Sequence, residues 1–246
     1  RHAPADVMEP VRLARQAGFA NISLDLLYDV PGQTIASWRD TLAGTLALEP
    51  DHISAYALTL DTPDGDDHLP VSRGAGSWRA RASREQDADR AADMYEFADD
   101  AFAAAGLNWY ELSNWSLPGK ASRHNLAYWQ GAAWEAVGPG AHAFDGARTR
   151  RWNAARLDAY LNALSAGNLP PGDSVTVDGA TAQAERAMLA LRTGSGLVVG
   201  DTREIEPVIV WGLEQRLLES DSSAVRLTRR GRLLSSELFA RLLPAA

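Results

Sequence analysis

Read for the spacing of its apolar residues, the chain opens with a helix. Val7, Val11, Leu13, Ala14 and Ala17 recur at helical intervals, Gly18 follows as a C-cap candidate, and Ala20 to Leu27 then reads as a buried strand. Pro31-Gly32-Gln33-Thr34 makes a turn. Its Thr34 can cap the next helix, Ile35 to Leu48, which carries Trp38, Leu42 and Leu46 on one face. His52 to Leu60 is a second apolar strand. Helices alternating with such strands predict a parallel sheet covered on both faces.

Asp61 to Glu85, rich in Asp, Gly, Ser and Pro, breaks the rhythm and reads as a long surface loop. A strong helix resumes from Asp87 to Ala105, with Met94, Tyr95, Phe97, Ala98, Ala101 and Phe102 on its apolar face and Gly106 as its stop. Trp109 to Ser113 is a third strand. After Arg151-Trp152-Asn153, a helix from Leu157 to Leu164 closes a first domain, residues 1–167. Residues 168–179 hold two prolines and two glycines and read as a linker. Residues 180–246 then predict helix (Thr181 to Leu191), helix (about Asp201 to Glu219), short strand (Val225 to Thr228) and helix (about Arg229 to Leu243), a winged-helix-like α+β module. Such modules often bind DNA, but a fold does not imply a function, and docking between domains or protomers suits this one better.

Composition narrows the function classes. The net charge of −8 argues against nucleic acid, whose binding is dominated by neutralised phosphates, and the arginines at 148, 150 and 151 and at 226 to 232 read as solvated faces. No run approaches the ~18 apolar residues of a membrane span, and the first residues have no signal-peptide core, so a cytoplasmic location is expected. With no cysteine, the chain has no disulfide, no thiolate nucleophile and no cysteine ligand for a cluster.

The densest chemistry lies between Ser122 and Phe144. Two of the five histidines, His124 and His142, fall there, and Arg123, His124, Asn125, Tyr128 and Trp129 crowd into seven positions. An imidazole is a common iron or zinc ligand, and flat aromatic rings cover a planar ligand, so the stretch suits something flat and metallated. A core histidine beneath a packed Tyr-Trp pair would give the same letters. Gly138-Pro139-Gly140 adds a turn with little bulk. Asp25 stands inside an apolar strand, where a carboxylate must be paired or hydrogen-bonded. It is placed either to hold a ligand's hydroxyls or amine or to cap a loop.

Five motifs now stand in order: Asn21-Ile22-Ser23-Leu24-Asp25-Leu26-Leu27-Tyr28-Asp29-Val30-Pro31-Gly32-Gln33-Thr34; His52-Ile53-Ser54-Ala55-Tyr56-Ala57-Leu58; Tyr110-Glu111-Leu112-Ser113-Asn114-Trp115; Arg123-His124-Asn125 with Tyr128-Trp129; and Gly138-Pro139-Gly140-Ala141-His142. Together they closely resemble the HemW family of haem chaperones, in the radical S-adenosylmethionine superfamily, often described as oxygen-independent coproporphyrinogen III oxidase-like. The likeness runs from Arg1 to about Leu243 and includes Leu227-Thr228-Arg229-Arg230-Gly231-Arg232-Leu233-Leu234. It implies an α/β fold in which residues 1–167 are the C-terminal part of a partial β/α, TIM-like radical SAM barrel.

The resemblance also implies roles. His124, Asn125, Tyr128 and Trp129 match a motif associated with haem binding, which makes His124 the iron-ligand candidate; the second ligand is His142, another protomer or none. Asp25 matches a contact of S-adenosylmethionine and Arg1 the arginine that meets its carboxylate, with Ala57 and Phe144 at positions lining the adenosyl pocket. Asp29 stands where the family has glycine, which would crowd or recharge that pocket. The family's Cys-x-x-x-Cys-x-x-Cys loop is absent, so the 4Fe-4S cluster and S-adenosylmethionine are expected only in a full-length protein of which this is the C-terminal part. Without those cysteines the chain would not cleave S-adenosylmethionine reductively. The expected partners are haem, haem-accepting proteins and, in one arrangement, a second copy of the chain. Two alternatives stand beside the chaperone: a coproporphyrinogen III oxidase working by radical decarboxylation, and a non-functional remnant.

Overall fold

The computed structural model of the protein describes residues 4–59, 80, 82–201 and 205–243. Arg1 and most of the loop expected from Asp61 to Glu85 lie outside those residues. The chain divides into two compact units, residues 1–121 and 122–246.

The first unit runs α1 (Pro4–Gln16), β1 (Ser23–Tyr28), α2 (Ile35–Leu46), β2 (His52–Ala57), α3 (Ala88–Ala104), β3 (Asn108–Glu111) and β4 (Asn114–Ser116). α2 starts where the sequence places it. Thr34 has extended backbone and its hydroxyl accepts from the Ser37 N–H, while the Ser37 hydroxyl accepts from the Thr34 N–H, so two otherwise orphaned donors are satisfied at once. Asp87 caps α3 in the same way, accepting from Asp89 N and Arg90 N. Helix and sheet are joined by tryptophans. Trp38, fully buried on α2, donates its indole N–H to Met94 O of α3 at 2.8 Å, and Trp115 of β4 donates to Asp99 Oδ1 of α3 at 2.8 Å. Phe102 meets Trp115 edge-on at 5.1 Å, an arrangement that adds about 0.5–1.5 kcal/mol to the area buried.

The sheet has the order β1-β2-β4-β3 and is mixed, which differs from the parallel sheet expected. β1 and β2 are parallel over Ser23↔His52 to Tyr28↔Ala57, but β4 runs antiparallel to β2. The difference arises at Leu112-Ser113. Two residues cannot make a parallel crossover, which takes a dozen or more, so β4 folds back on β3 as a hairpin. Glu111, 2% exposed, holds that corner by accepting from Ser113 N and from the Asn114 side chain. Nor is β1 buried on both sides: it alternates, with Ser23, Asp25 and Leu27 exposed and Tyr28 buried.

Four segments of this unit meet at one carboxylate. Asp51 Oδ2 accepts from Ile22 N at 3.0 Å and from Arg15 Nη2 at 2.9 Å, and Lys120 Nζ lies 3.4 Å from Oδ1. Burial pushes the Asp51 pKa up, but Ile22 N–H, Arg15 and Lys120 outweigh it and hold the carboxyl below the usual range.

The second unit opens with α4 (Arg123–Trp129), then β5 (His142–Phe144), β6 (Thr149–Asn153), α5 (Leu157–Ser165) and β7 (Gly172–Thr176). These strands form an antiparallel sheet in the order β5-β6-β7. The stretch 168–179, expected as a linker, therefore contains an edge strand bonded to β6 along five residues. All five are exposed, so no apolar face announced it in the sequence. The unit continues with α6 (Gly179–Leu191), β8 (Leu197–Val198), α7 (Glu206–Glu214), β9 (Leu218–Ser220), β10 (Ala224–Leu227), α8 (Arg229–Leu233) and α9 (Ser235–Leu242). β8, β10 and β9 make a three-stranded antiparallel sheet, so the helix-strand-helix-hairpin order has the wing of a winged-helix-like module. The expected strand at Val225 to Thr228 is β10; β8 and β9 are too short to leave a period. Among the described residues no helix is long and apolar enough to cross a membrane.

Two tests follow. Asp51→Asn should lower Tm at pH 7 by roughly 5 °C. A depressed carboxylate contributes stability above its unfolded pKa of about 3.9 and loses it as pH falls through the lower folded value, so the difference should shrink below about pH 4 in thermal melts. Gly231, at the foot of α8, has Leu217 O where a Cβ would come within 1.8 Å. Gly231→Ala should cost about 1–3 kcal/mol by denaturant unfolding.

Candidate functional site

α4 is a short helix capped by Ser122, whose side chain accepts from Asn125 N. His124 and Tyr128 are four residues apart and so share a face, and their rings meet edge-on with centroids 5.0 Å apart. From Tyr128 a run of rings continues, Tyr128 to Trp134 at 4.7 Å and Trp134 to Phe144 at 5.1 Å. A backbone bridge fixes the last pair: Trp134 N donates to Phe144 O and Phe144 N to Trp134 O, each at 3.0 Å. Trp129, on the neighbouring face of α4, has the Arg192 guanidinium 5.0 Å from its ring centre, and the same guanidinium lies 5.4 Å from Phe239 of α9.

These rings border a groove of about 780 Å³, closed on its other side by α6 and β8. Tyr128, Trp129, Trp134 and Phe144 line it together with Leu126, Leu189 and Val198. Its charged lining residues are Arg150, Glu185 and Arg186; Arg150 and Glu185 pair at 2.6 Å. The volume is in the range of small-molecule pockets, and its surface is divided between apolar and polar groups. His124 and Asn125 are not among its lining residues. His124 is exposed, on the far side of the Tyr128 ring contact, and His142, also exposed, stacks at 5.9 Å on Trp152. Among the described residues no three His, Asp or Glu side chains converge on a metal site. Haem iron, with four ring nitrogens of its own, requires only one or two side chains.

The second candidate surface is the polar face of the first unit's sheet, where exposed Ser23 and Asp25 adjoin buried His52 and Ser54. Asp25 lies there, opposite Ser54, and is exposed rather than enclosed as its apolar neighbours suggested. Next to it His52, 5% exposed, is held at both ring nitrogens: Ser23 Oγ is 2.8 Å from Nδ1 and Tyr110 Oη 2.8 Å from Nε2. Burial lowers the His52 pKa, and the Asp25 charge opposes that shift. Ala57 pairs with Tyr28, one step out of phase with Asp25, so strand alternation gives it the opposite face. Asp29 does not recharge this surface. It adopts a left-handed conformation (φ 54°), which explains why glycine suits the position, and its buried carboxylate accepts from Arg90 Nε at 3.1 Å and Nη2 at 2.5 Å. Tyr28, just before it, has its pKa pushed up to about 12 by burial and then by the Asp29 charge.

No family model matches the chain. Individual proteins do. It is 32% identical over 252 residues to the heme chaperone HemW of Mycobacterium tuberculosis, covering 98% of this chain and 60% of that protein. Over nearly its whole length the chain is similar to a protein of the HemW family. The heme chaperone HemW of Bacillus subtilis is 31% identical over 97% of this chain and 63% of its own length. The mitochondrial radical S-adenosyl methionine domain-containing protein 1 of Bos taurus is 26% identical, with 98% and 57% covered. The chain thus spans about three-fifths of the curated relatives it matches. Among solved structures, the radical SAM enzyme coproporphyrinogen III oxidase (HemN) of Escherichia coli matches with a TM-score of 0.70 at 16% identity, over 98% of this chain and 59% of that one. That likeness identifies the fold, the mixed α/β architecture of a partial radical SAM barrel.

The rings and the polar sheet face differ in how they could be found. Trp134 sits in the same stretch as the motif helix, but its pairing with Phe144 depends on a bridge that no local spacing reveals. Arg186 comes from a helix more than fifty residues further on, and Arg150 from a cluster that reads as a solvated face. The chain has no cysteine and so offers no thiolate to an iron–sulfur cluster.

A titration tests the sheet face. With its pKa depressed, His52 should show an NMR midpoint below 6.5, and Asp25→Asn, by removing the opposing charge, should move that midpoint lower still. An upward move would contradict the electrostatic coupling.

Proposed function

We propose that the protein of which this chain is a segment is a cytoplasmic haem carrier that delivers haem to acceptor proteins. The observation that carries this reading is that Tyr128 and Trp129, from the helix that also bears His124 and Asn125, line a ring-walled groove inside one compact unit. A porphyrin is flat, apolar across its faces and anionic at its propionate edge. Rings at 4.7–5.1 Å spacing supply faces to lie against, and arginines supply partners for carboxylates. His124 is exposed on the helix that contributes Tyr128 and Trp129, so its imidazole is accessible to iron without a rearrangement of the core. Asn125, at the start of the same helix, serves α4 through its N–H to Ser122. We assign Phe144 to this groove.

S-adenosylmethionine, in the same proposal, belongs to the Asp25 face of the first unit, where a carboxylate accepts from ribose hydroxyls or an ammonium. Arg1, outside the described residues, is its expected carboxylate partner, and Ala57 borders that strand end. When bound, the cofactor supplies an adenosyl group and a sulfonium charge; what Asp25 does is orient it. A radical oxidase acting on coproporphyrinogen is the runner-up, favoured by the shared fold. Decarboxylation of coproporphyrinogen by the full-length protein would select it.

In the full-length protein, His124→Ala should abolish or strongly weaken the Soret shift on haem titration while leaving Tm unchanged, since the side chain is exposed. An unaltered Soret titration removes His124 as the ligand.

A further inference from the structure

The groove and the iron-ligand candidate do not coincide. Tyr128 belongs to both: its ring forms part of the groove lining and touches the His124 imidazole edge-on. His124 itself is outside the lining. A ligand in the groove is therefore met by rings and by charge, and not by that imidazole.

The charge is specific. In a chain of net charge −8, the groove's charged lining sums to +1, from Arg150, Arg186 and Glu185. Arg150 is committed to Glu185 at 2.6 Å, and it also sits 5.8 Å from the Phe144 ring centre. Arg186 differs: it is exposed at the groove's edge and has no ion pair or hydrogen bond among the described residues. An unpaired guanidinium beside four aromatic walls is complementary to a planar ring system that bears a carboxylate at its rim. Its fork geometry accepts a carboxylate through two parallel hydrogen bonds.

We infer that the groove is a seat for the porphyrin ring itself, with Arg186 pairing a peripheral carboxylate, and that this seat works without an iron ligand. The inference rests on the haem-carrier reading for the identity of the ring. It adds that the cargo class includes metal-free porphyrin carboxylates, and it makes Arg186 a specificity-determining residue. The rings supply most of the contact area, and Arg186 discriminates the acid from its esters.

The test uses protoporphyrin IX without metal, its dimethyl ester and haem, each titrated into the full-length protein and followed by porphyrin emission or Soret absorbance. Wild type should bind protoporphyrin IX, and bind the ester about tenfold or more weakly, the loss expected for one charge-assisted pair. Arg186→Gln should weaken protoporphyrin IX and haem by a similar factor, Arg186→Glu by more, and Arg186→Lys by less; the side chain is exposed and unpaired, so the fold should tolerate all three. If haem binds but metal-free porphyrin does not, or if the ester binds as well as the acid, the inference falls and the haem-carrier reading stands. If neither haem nor protoporphyrin IX binds, both fall. A uniform affinity across the Arg186 series removes that residue from recognition.

Discussion

The first unit depends on a single carboxylate placed where the chain changes direction. Asp51 sits between α2 and β2, yet its side chain takes the first N–H before β1 and two cations, one from the end of α1 and one from beyond β4. Its main chain adds to this: Asp51 N donates to Ile22 O and Leu117 N to Asp51 O. Breaking that junction would leave a buried anion without partners and release the register of three strands together, so β1, β2 and β4 owe their alignment to it as much as to apolar burial.

That alignment is what makes the polar sheet face. Once Ser23 is opposite His52 and Asp25 opposite Ser54, alternation puts hydroxyls, an imidazole and a carboxylate in adjacent rows, with Tyr110 completing the hold on His52. The arrangement is rigid and hydrogen-bonded, suited to orienting a polar ligand. The ring-lined groove of the second unit is a different kind of surface, wide and walled by aromatic rings. The two units thus present different chemistry: directional hydrogen bonds in one, ring faces and charge in the other.

The readable parts of this architecture were those with local causes. Thr34 and Asp87 cap the helices that their positions suggested, and Gly18 and Gly106 have the positive φ expected where helices stop. Asp25 was expected inside a buried strand, but Asn21, Ser23 and Asp25 alternate with Ile22, Leu24 and Leu26 in the pattern of a half-exposed strand, which only Leu27 interrupts. The hairpin at Leu112-Ser113 and the edge strand β7 escaped because one is made by a buried Glu111 and the other by backbone pairing alone. The motif helix was conspicuous from its letters. The groove behind it was not, because Arg186 and Val198 reach it only through the tertiary fold.

One consequence concerns how the two halves would fail. The integrity of the first unit is tied to groups that take up protons, Asp51 and His52. In the second unit, by contrast, the Trp129 wall is fastened to α9 by the Arg192 guanidinium lying against both Trp129 and Phe239, and a guanidinium keeps its charge across the accessible pH range. Acid would therefore act on the Asp51 junction of the sheet while leaving the Arg192 contact with the groove wall charged.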